Sequence, residues 1–181
     1  MDFCTDLTVY LPVYRGRKAV ALMPYIVLGC SLLIAAIDYI IKILVINNLK
    51  PISSFAVIPG LFSLTYVENR GAAFGMLSDA RWVFITFTVI VIAVMIYLMF
   101  KKRITSKLFN ISAVLIIGGG IGNLIDRIFY GYVVDYLSVS FFPPVCNFAD
   151  YCITVGAALL VIYLMFFSDF LSKKDKNNGK V

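Results

Sequence analysis

The stretch that decides the fold is WVFITFTVIVIAVMIYLMF, residues 82–100, which contains no charged side chain. An α-helix rises ~1.5 Å per residue, so about 20 apolar residues cross the hydrocarbon core of a bilayer. Further uncharged stretches of similar length occupy Ala19–Ile37, Leu108–Ile125 and Tyr151–Ser168. The sequence therefore predicts an all-α membrane protein with four transmembrane helices.

The composition supports this class of protein. Of the 181 residues, 61% are hydrophobic and 14% are charged. Soluble domains carry about 45–50% apolar and about 25% charged residues, so these charges are too few to cover a surface that faces water. The sequence contains no His, which excludes Ser-His-Asp catalysis, Cys-His catalysis and His-ligated zinc within this chain. We predict neither a metal nor a cofactor.

The basic residues give the orientation in the membrane. Most of them lie before the first span, between the second and third spans, or after the fourth: Arg15, Arg17, Lys18, Lys101, Lys102, Arg103, Lys107, Lys173, Lys174, Lys176 and Lys180. The opposite side carries only Lys50, Arg70, Arg81 and Arg127. The positive-inside rule then predicts that both termini are cytoplasmic, and the formal charge of +6 reflects this bias rather than a nucleic-acid partner.

The chain is expected to form one membrane domain with two tails. The first apolar run continues past Ile37 to about Ile46. It is longer than the 7–15 residues of a signal-peptide core, and no small-residue cleavage site follows it, so we expect a retained span. We divide the chain into a cytoplasmic tail over residues 1–18, a four-span domain over residues 19–170 and a cytoplasmic Lys-rich tail over residues 171–181.

Two loops face outward in this topology. In the first loop, about Asn47–Arg81, the alternating segment Ile52–Tyr66 is broken by Pro59-Gly60, which predicts a small extracytoplasmic β element. The second loop contains a strand-like segment at Tyr132–Tyr136 and a predicted turn at Pro143-Pro144.

Two acidic residues of the second loop are candidate catalytic groups. Asp135 lies in an apolar run, where an unpaired carboxylate is costly, and Asp150 directly precedes the fourth span, where the helix end stabilises negative charge. A hairpin between them can bring the two carboxyl groups together. Such a pair supplies a base that activates water and an acid for the leaving amine. The alternatives are a helix cap for Asp150 and an ion pair between Asp135 and Arg127.

Further polar residues occur next to the spans. Asn123, Asp126 and Arg127 share one face at the outer end of the third span, after four glycines that permit close helix packing. A simple interfacial ion pair between Asp126 and Arg127 is the alternative to a site. Asp38 and Lys42 are spaced i, i+4 in the first span, so they can neutralise each other, and Lys42 can extend toward the membrane surface.

Five motifs in order resemble one known family. They are Asp38-x-x-x-Lys42, Asn69-x-Gly71-Ala72-Ala73-Phe74-Gly75, Gly122-Asn123-Leu124-Ile125-Asp126-Arg127, Gly131-Tyr132-Val133-Val134-Asp135 and Asn147-x-Ala149-Asp150. Their order on a four-span chain is similar to that of lipoprotein signal peptidase, also called signal peptidase II. The resemblance covers about Met23–Phe167.

The resemblance implies a bacterial membrane aspartyl endopeptidase that cuts prolipoproteins just before a diacylglyceryl-modified Cys. It implies prolipoproteins and membrane lipid as partners, no nucleic acid, and a site at the outer face of the cytoplasmic membrane. Asp135 and Asp150 match the catalytic pair. The helix start makes Asp150 the candidate base, and the apolar surroundings of Asp135 make it the candidate acid. The positions that match substrate-binding or site-shaping residues are Asn69, Gly71, Asn123, Asp126, Arg127, Asn147, Asp38 and Lys42.

Two other functions fit parts of the pattern. A small transporter or channel subunit would use intramembrane Asp and Lys residues as ion ligands or proton relays, with ionisable groups near the middle of the bilayer. An intramembrane-cleaving protease would carry both Asp residues inside adjacent spans, whereas Asp135 is predicted to lie in a loop. The clustering of ionisable residues at one membrane face favours the signal peptidase.

Overall fold

The structure is a computed structural model that describes residues 7–71, 80–102, 104 and 106–167. Within these ranges it describes the side chains of residues 21–71, 80–101, 104 and 106–166. The Lys-rich tail and the end of the first long loop, including Ala72–Gly75 of the second motif, lie outside the described residues.

Four α-helices form the frame of the described chain. They are α1 Leu7–Asn48, α2 Arg81–Lys102, α3 Lys107–Phe129 and α4 Phe148–Phe167. Each contains a stretch long and apolar enough to cross a membrane: Ala21–Asn48, Arg81–Lys101, Lys107–Phe129 and Phe148–Phe166. The four predicted transmembrane helices are therefore confirmed.

Helix α3 is the centre of the bundle. About 61% of the membrane-spanning stretch of α3 is buried inside the protein, against 28% or less in each of the other three helices. Phe109, Ala113 and Ile117 of α3 pack in the core with Met95 and Met99 of α2. The other helices direct Leu, Ile and Phe side chains outward, as expected when lipid rather than water surrounds the bundle.

The glycines of α3 let its neighbours approach closely. A Cβ added at Gly119 would lie 2.6 Å from the backbone oxygen of Ala149 in α4, and one at Gly118 would lie 2.8 Å from the Ile34 side chain in α1. Only a residue without a side chain permits these distances. The packing role predicted for the glycine run is confirmed at these two positions.

The loop between α1 and α2 and the loop between α3 and α4 together build one antiparallel sheet. Its strands are β1 Ser54–Ile58, β2 Phe62–Asn69, β3 Val133–Val139 and β4 Phe142–Cys146, in the order β1-β2-β3-β4. The predicted hairpin of the first loop is present, and its turn contains Gly60 at a φ of 75°. The strand-like segment predicted at Tyr132–Tyr136 lies largely within β3. Because β2 pairs with β3, the sheet extends beyond the first loop, where the fold class had placed the β element, and the fold is not purely α-helical.

The turn predicted at Pro143-Pro144 was also wrong. Both prolines lie inside β4, and the chain reverses at Ser140 and Phe141 instead. Proline lacks the N–H that a central strand must donate, so it is tolerated mainly in edge strands. Strand β4 is an edge of this sheet and pairs only with β3.

Candidate active site

The sheet and the helix ends bring the two candidate catalytic residues to one place. Asp135 lies in β3 and is only 1% exposed. Asp150 lies in the first turn of α4. One residue, Asn147, contacts both of them. Its Nδ2 donates to Asp135 Oδ1 at 2.6 Å, and its backbone N–H donates to Asp150 Oδ2 at 3.1 Å.

Asn147 and Asp150 form a capping box at the start of α4. The backbone N–H of Asp150 donates to Asn147 Oδ1 at 2.9 Å, while Asp150 Oδ2 accepts the N–H of Asn147. This reciprocal arrangement satisfies two N–H groups that a helix start leaves unpaired. The helix-cap alternative for Asp150 is thus correct in part, since Asn147 is the cap residue and Asp150 completes the box. The three-residue spacing of an Asn and an Asp could have predicted it.

Strand pairing brings a second amide to Asp135. In the β2–β3 register, Val67 lies opposite Asp135 and Asn69 lies opposite Val133, so Asn69 and Asp135 are diagonal neighbours on one face. Asn69 Nδ2 donates to Asp135 Oδ2 at 2.7 Å. Asn69 Oδ1 accepts the N–H of Gly71 at 3.0 Å, which leaves the NH₂ group pointing at the carboxylate.

The other carboxylate receives an amide from α3. Asn123 Nδ2 donates to Asp150 Oδ1 at 2.7 Å, and Asn123 Oδ1 accepts from Lys42 Nζ at 2.9 Å. Lys42 is 1% exposed and does not extend toward the membrane surface as the sequence had allowed.

Lys42 lies between two buried carboxylates. Its Nζ is 2.8 Å from Asp38 Oδ2 and 2.9 Å from Asp126 Oδ2, and both carboxylates are at most 1% exposed. The i, i+4 pair predicted within α1 is therefore confirmed, and Asp126 joins it. Charges this deep are stable only when they are paired and hydrogen-bonded.

The same two carboxylates hold the backbone beside each catalytic candidate. Asp126 Oδ2 accepts the N–H of Val134 at 3.0 Å, and Asp38 Oδ1 accepts the N–H of Ala149 at 3.1 Å. Val134 and Ala149 directly precede Asp135 and Asp150 in the chain. The ion cluster therefore fixes the chain at the residue before each catalytic candidate.

Arg127 lies close enough for the charges of Asp150, Asp135 and Asp126 to act on it, but its contact is with an aromatic ring. Its guanidinium carbon is 4.9 Å from the centre of the Phe84 ring of α2. Among the described residues, no ion pair joins Arg127 to Asp126 or to Asp135. Both simple ion pairs considered from the sequence are therefore wrong, because Lys42 and the asparagine amides occupy those carboxylates.

Sequence reasoning missed one residue that joins the sheet to α4. The Tyr136 hydroxyl oxygen accepts the N–H of Phe148, the first residue of α4, at 3.3 Å. A tyrosine in an apolar strand is ordinary, so the pattern gave no indication of this contact.

Burial changes the protonation of Asp135. Removal from water, followed by the nearby charge of Asp150, raises the pKa of Asp135 to about 7 from its ordinary value of 3.8. The amide donors of Asn69 and Asn147 oppose this shift without cancelling it. Asp135 can therefore carry a proton near neutral pH.

An apolar cavity adjoins Asp150. It has a volume of about 380 Å³ and is lined by Val139, Phe141 and Phe142 of the β3–β4 hairpin and by Tyr151 and Thr154 of α4. An apolar segment placed there would lie directly beside Asp150.

The fold and this polar cluster define a class of protein, the multi-pass bacterial membrane enzymes. A solved bacterial membrane enzyme, determined by the in meso method at 2.3 Å resolution, superposes with a TM-score of 0.71 and 29% identity. The match covers 85% of this chain and 91% of that one. A second such structure, at 1.9 Å resolution, gives a TM-score of 0.69 at 29% identity and covers 78% and 93% of the two chains.

The sequence then identifies the family. Residues 30–166 match the family model of signal peptidase (SPase) II. The lipoprotein signal peptidase of Halothermothrix orenii is 47% identical over 142 residues, which covers 78% of this chain and 94% of that protein. That of Caldanaerobacter subterraneus subsp. tengcongensis is 51% identical over 131 residues, with coverage of 72% and 89%. The chain belongs to the signal peptidase II family and is a peptidase of the membrane.

Proposed function

We propose that this chain is an aspartyl endopeptidase that removes the signal peptide from prolipoproteins by cutting before the diacylglyceryl-modified Cys. The observation that carries the proposal is the pair Asp135 and Asp150, joined through Asn147 and each bonded by amide donors. Family membership supplies the substrate class. In the proposed topology both termini are cytoplasmic and the sheet lies at the outer face of the membrane.

In the proposed reaction, one carboxyl group carries a proton and the other activates a water molecule. Asp135, with its raised pKa, holds the proton, so Asp150 is the base. A water gives a proton to Asp150 as its oxygen attacks the carbonyl carbon, and Asp135 gives its proton to the carbonyl oxygen. When the C–N bond breaks, the proton on Asp150 passes to the leaving amino group of the Cys. The second hydroxyl proton of the intermediate returns to Asp135.

The three asparagines donate hydrogen bonds to the two carboxylates, and this contact defines their role in the proposed site. The resemblance implies that Asn69, Asn123 and Asn147 either bind the substrate or shape the site. The side-chain NH₂ group of each one donates to Asp135 or Asp150. We therefore assign them a site-shaping role. The apolar part of the substrate would enter from the lipid and could occupy the cavity beside Asp150.

A cleavage assay tests the proposed function. The purified full-length chain in detergent or vesicles should cut a diacylglyceryl-modified precursor peptide at the bond before the modified Cys, as read by mass spectrometry. The same peptide without its lipid is the control and should be cut far more slowly. Absence of any cut in the lipidated peptide, or equal cutting of both peptides, would contradict the proposal.

The pH dependence provides a second prediction. Because Asp135 must hold a proton and its pKa is about 7, kcat/KM should fall as the pH rises through about 7. The folded state binds this proton more tightly than the unfolded chain, so the same group also makes stability decline between about pH 4 and pH 7. Measuring kcat/KM from pH 5 to pH 9 and the melting temperature from about pH 4 to pH 9 checks both effects. A kcat/KM that stays constant up to pH 9 would argue against Asp135 as the acid.

A further inference from the structure

A side-chain amide can face a carboxylate with either its NH₂ group or its oxygen, and only the first is favourable. Each of the three asparagines bonded to the catalytic pair has its orientation set by a donor at its Oδ1. For Asn69 that donor is the backbone N–H of Gly71, and for Asn147 it is the backbone N–H of Asp150. For Asn123 it is the ammonium group of Lys42, at 2.9 Å.

Lys42 suits this task because an ammonium group donates and never accepts. It can contact Asn123 only at Oδ1, which turns the NH₂ group toward Asp150 Oδ1 at 2.7 Å. Asp38 and Asp126 hold the ammonium in place at 2.8 and 2.9 Å, and the group is almost fully buried. The amide orientation at Asp150 thus depends on a charge that arrives from a different helix.

We propose that Lys42 is a positioning residue for catalysis, which acts on Asp150 by fixing the amide of Asn123. This inference rests on the proposed role of Asp150 as the base. Without the ammonium group, the amide of Asn123 can rotate and present its oxygen to the carboxylate. Two acceptors then repel each other, so Asp150 leaves the geometry that the attacking water needs.

The kinetic signature follows from the position of Lys42. A buried side chain that does not meet the substrate should affect kcat and leave KM nearly constant. Hydrogen bonds to charged groups contribute about 1.5–3 kcal/mol, so we expect Lys42→Met to lower kcat by about 10- to 100-fold, with KM within about threefold.

Lys42→Met also leaves two buried carboxylates without a cation, so a second variant keeps the inference testable if that protein does not fold. The variant Asp38→Asn/Lys42→Met/Asp126→Asn removes all three charges. The new amide oxygens can still accept the N–H groups of Ala149 and Val134. It should fold and show the same loss of kcat, because what it lacks is the ammonium contact to Asn123.

Double-mutant cycles separate positioning from general destabilisation. Combining Lys42→Met with Asn123→Ala should give a kcat close to that of Asn123→Ala alone, because the amide on which Lys42 acts is gone. Combining Lys42→Met with Asn69→Ala should multiply the two losses, since Asn69 donates to Asp135 and is oriented by Gly71, with no hydrogen bond to Asp150 or Asn123. Multiplicative losses in both cycles would overturn the inference.

A matched control tests whether loosened helix packing alone could explain a loss of kcat in the Lys42 variants. Ser112 of α3 is fully buried and donates to the backbone oxygen of Gly156 in α4 at 2.8 Å, so Ser112→Ala loosens the same helix pair without touching Asn123. It should lower the melting temperature while kcat of the folded protein stays within about twofold. A normal kcat in both Lys42 variants, beside an active wild type, would refute the positioning role and leave the proposed function intact.

A readout independent of turnover completes the test. In ¹⁵N spectra, the side-chain NH₂ resonances of Asn123 should move in the neutral triple variant. Those of Asn69 should stay in place, since its orientation is set by Gly71. An unmoved Asn123 resonance would show that Lys42 does not set the amide orientation.

Discussion

Replacing either catalytic candidate, by Asp135→Asn or Asp150→Asn, should lower kcat by about 10³- to 10⁴-fold. General acid–base catalysis by a placed group contributes about 10²- to 10⁴-fold, and groups that act as a unit lose nearly everything when one is removed. Asn keeps the size of Asp but can neither accept the proton of water nor supply one to the carbonyl oxygen.

Each substitution also turns an NH₂ group toward a donor. Both oxygens of Asp135 accept amide groups, and those of Asp150 accept Asn123 Nδ2 and the N–H of Asn147. Leaving a buried donor unpaired costs about 1–3 kcal/mol, so the melting temperature should fall while the proteins remain folded. The fold is monitored by circular dichroism beside the cleavage assay.

A matched acidic control lies on the same sheet. Glu68 of β2 is partly exposed and pairs with Lys50 at 3.0 Å, outside the network of the catalytic pair. Glu68→Gln should leave kcat within about twofold, since an exposed ion pair contributes little. If Asp135→Asn or Asp150→Asn turned over at a rate near that of Glu68→Gln, the catalytic assignment would be wrong.

The substitution Gly119→Ala should have the second-largest effect. The added Cβ would lie 2.6 Å from the backbone oxygen of Ala149 and 3.0 Å from the Ile153 side chain, so α4 must move away from α3. Overpacking of this kind costs about 1–3 kcal/mol. Because Ala149 precedes Asp150, the carboxylate proposed as the base moves with it, and a misplacement near 1 Å can cost about 10²-fold in rate.

Gly29→Ala is the control for this prediction. Gly29 lies in α1, and a Cβ added there meets nothing within 4 Å. The change should stabilise α1 by up to about 1 kcal/mol, because Ala has the higher helix propensity. Melting temperature and kcat are measured for both variants. A Gly119→Ala protein with the melting temperature and kcat of Gly29→Ala would show that α3 and α4 tolerate separation at this point.

Local sequence patterns were sufficient to predict the four helices and part of the sheet. Four uncharged runs predicted the spans, and Pro59-Gly60 between alternating residues predicted the first hairpin. The second hairpin was placed only in part, because the Pro143-Pro144 pair is typical of a turn. Its true position inside β4 depends on β4 being an edge strand, which requires knowledge of the strand order.

The candidate site was also predictable from the sequence only in part. The residue types and motif spacings singled out Asp135, Asp150 and the asparagines, which the structure joins in one hydrogen-bonded cluster. The i, i+4 spacing predicted the pair of Asp38 with Lys42, which is present. The spacing could not show that Asp126 contacts Lys42 rather than its neighbour Arg127. That outcome follows from which face of α3 meets α1.

By itself, the sequence determined that the chain enters a membrane as four helices and which polar groups are available for chemistry. These features follow from composition and from short-range sequence patterns, because the free energy of transfer into lipid determines which segments span the membrane. Only the tertiary structure decided which donor meets which oxygen. Those contacts join residues as far apart as Asp38 and Ala149, and they form only where the packed helices meet the sheet.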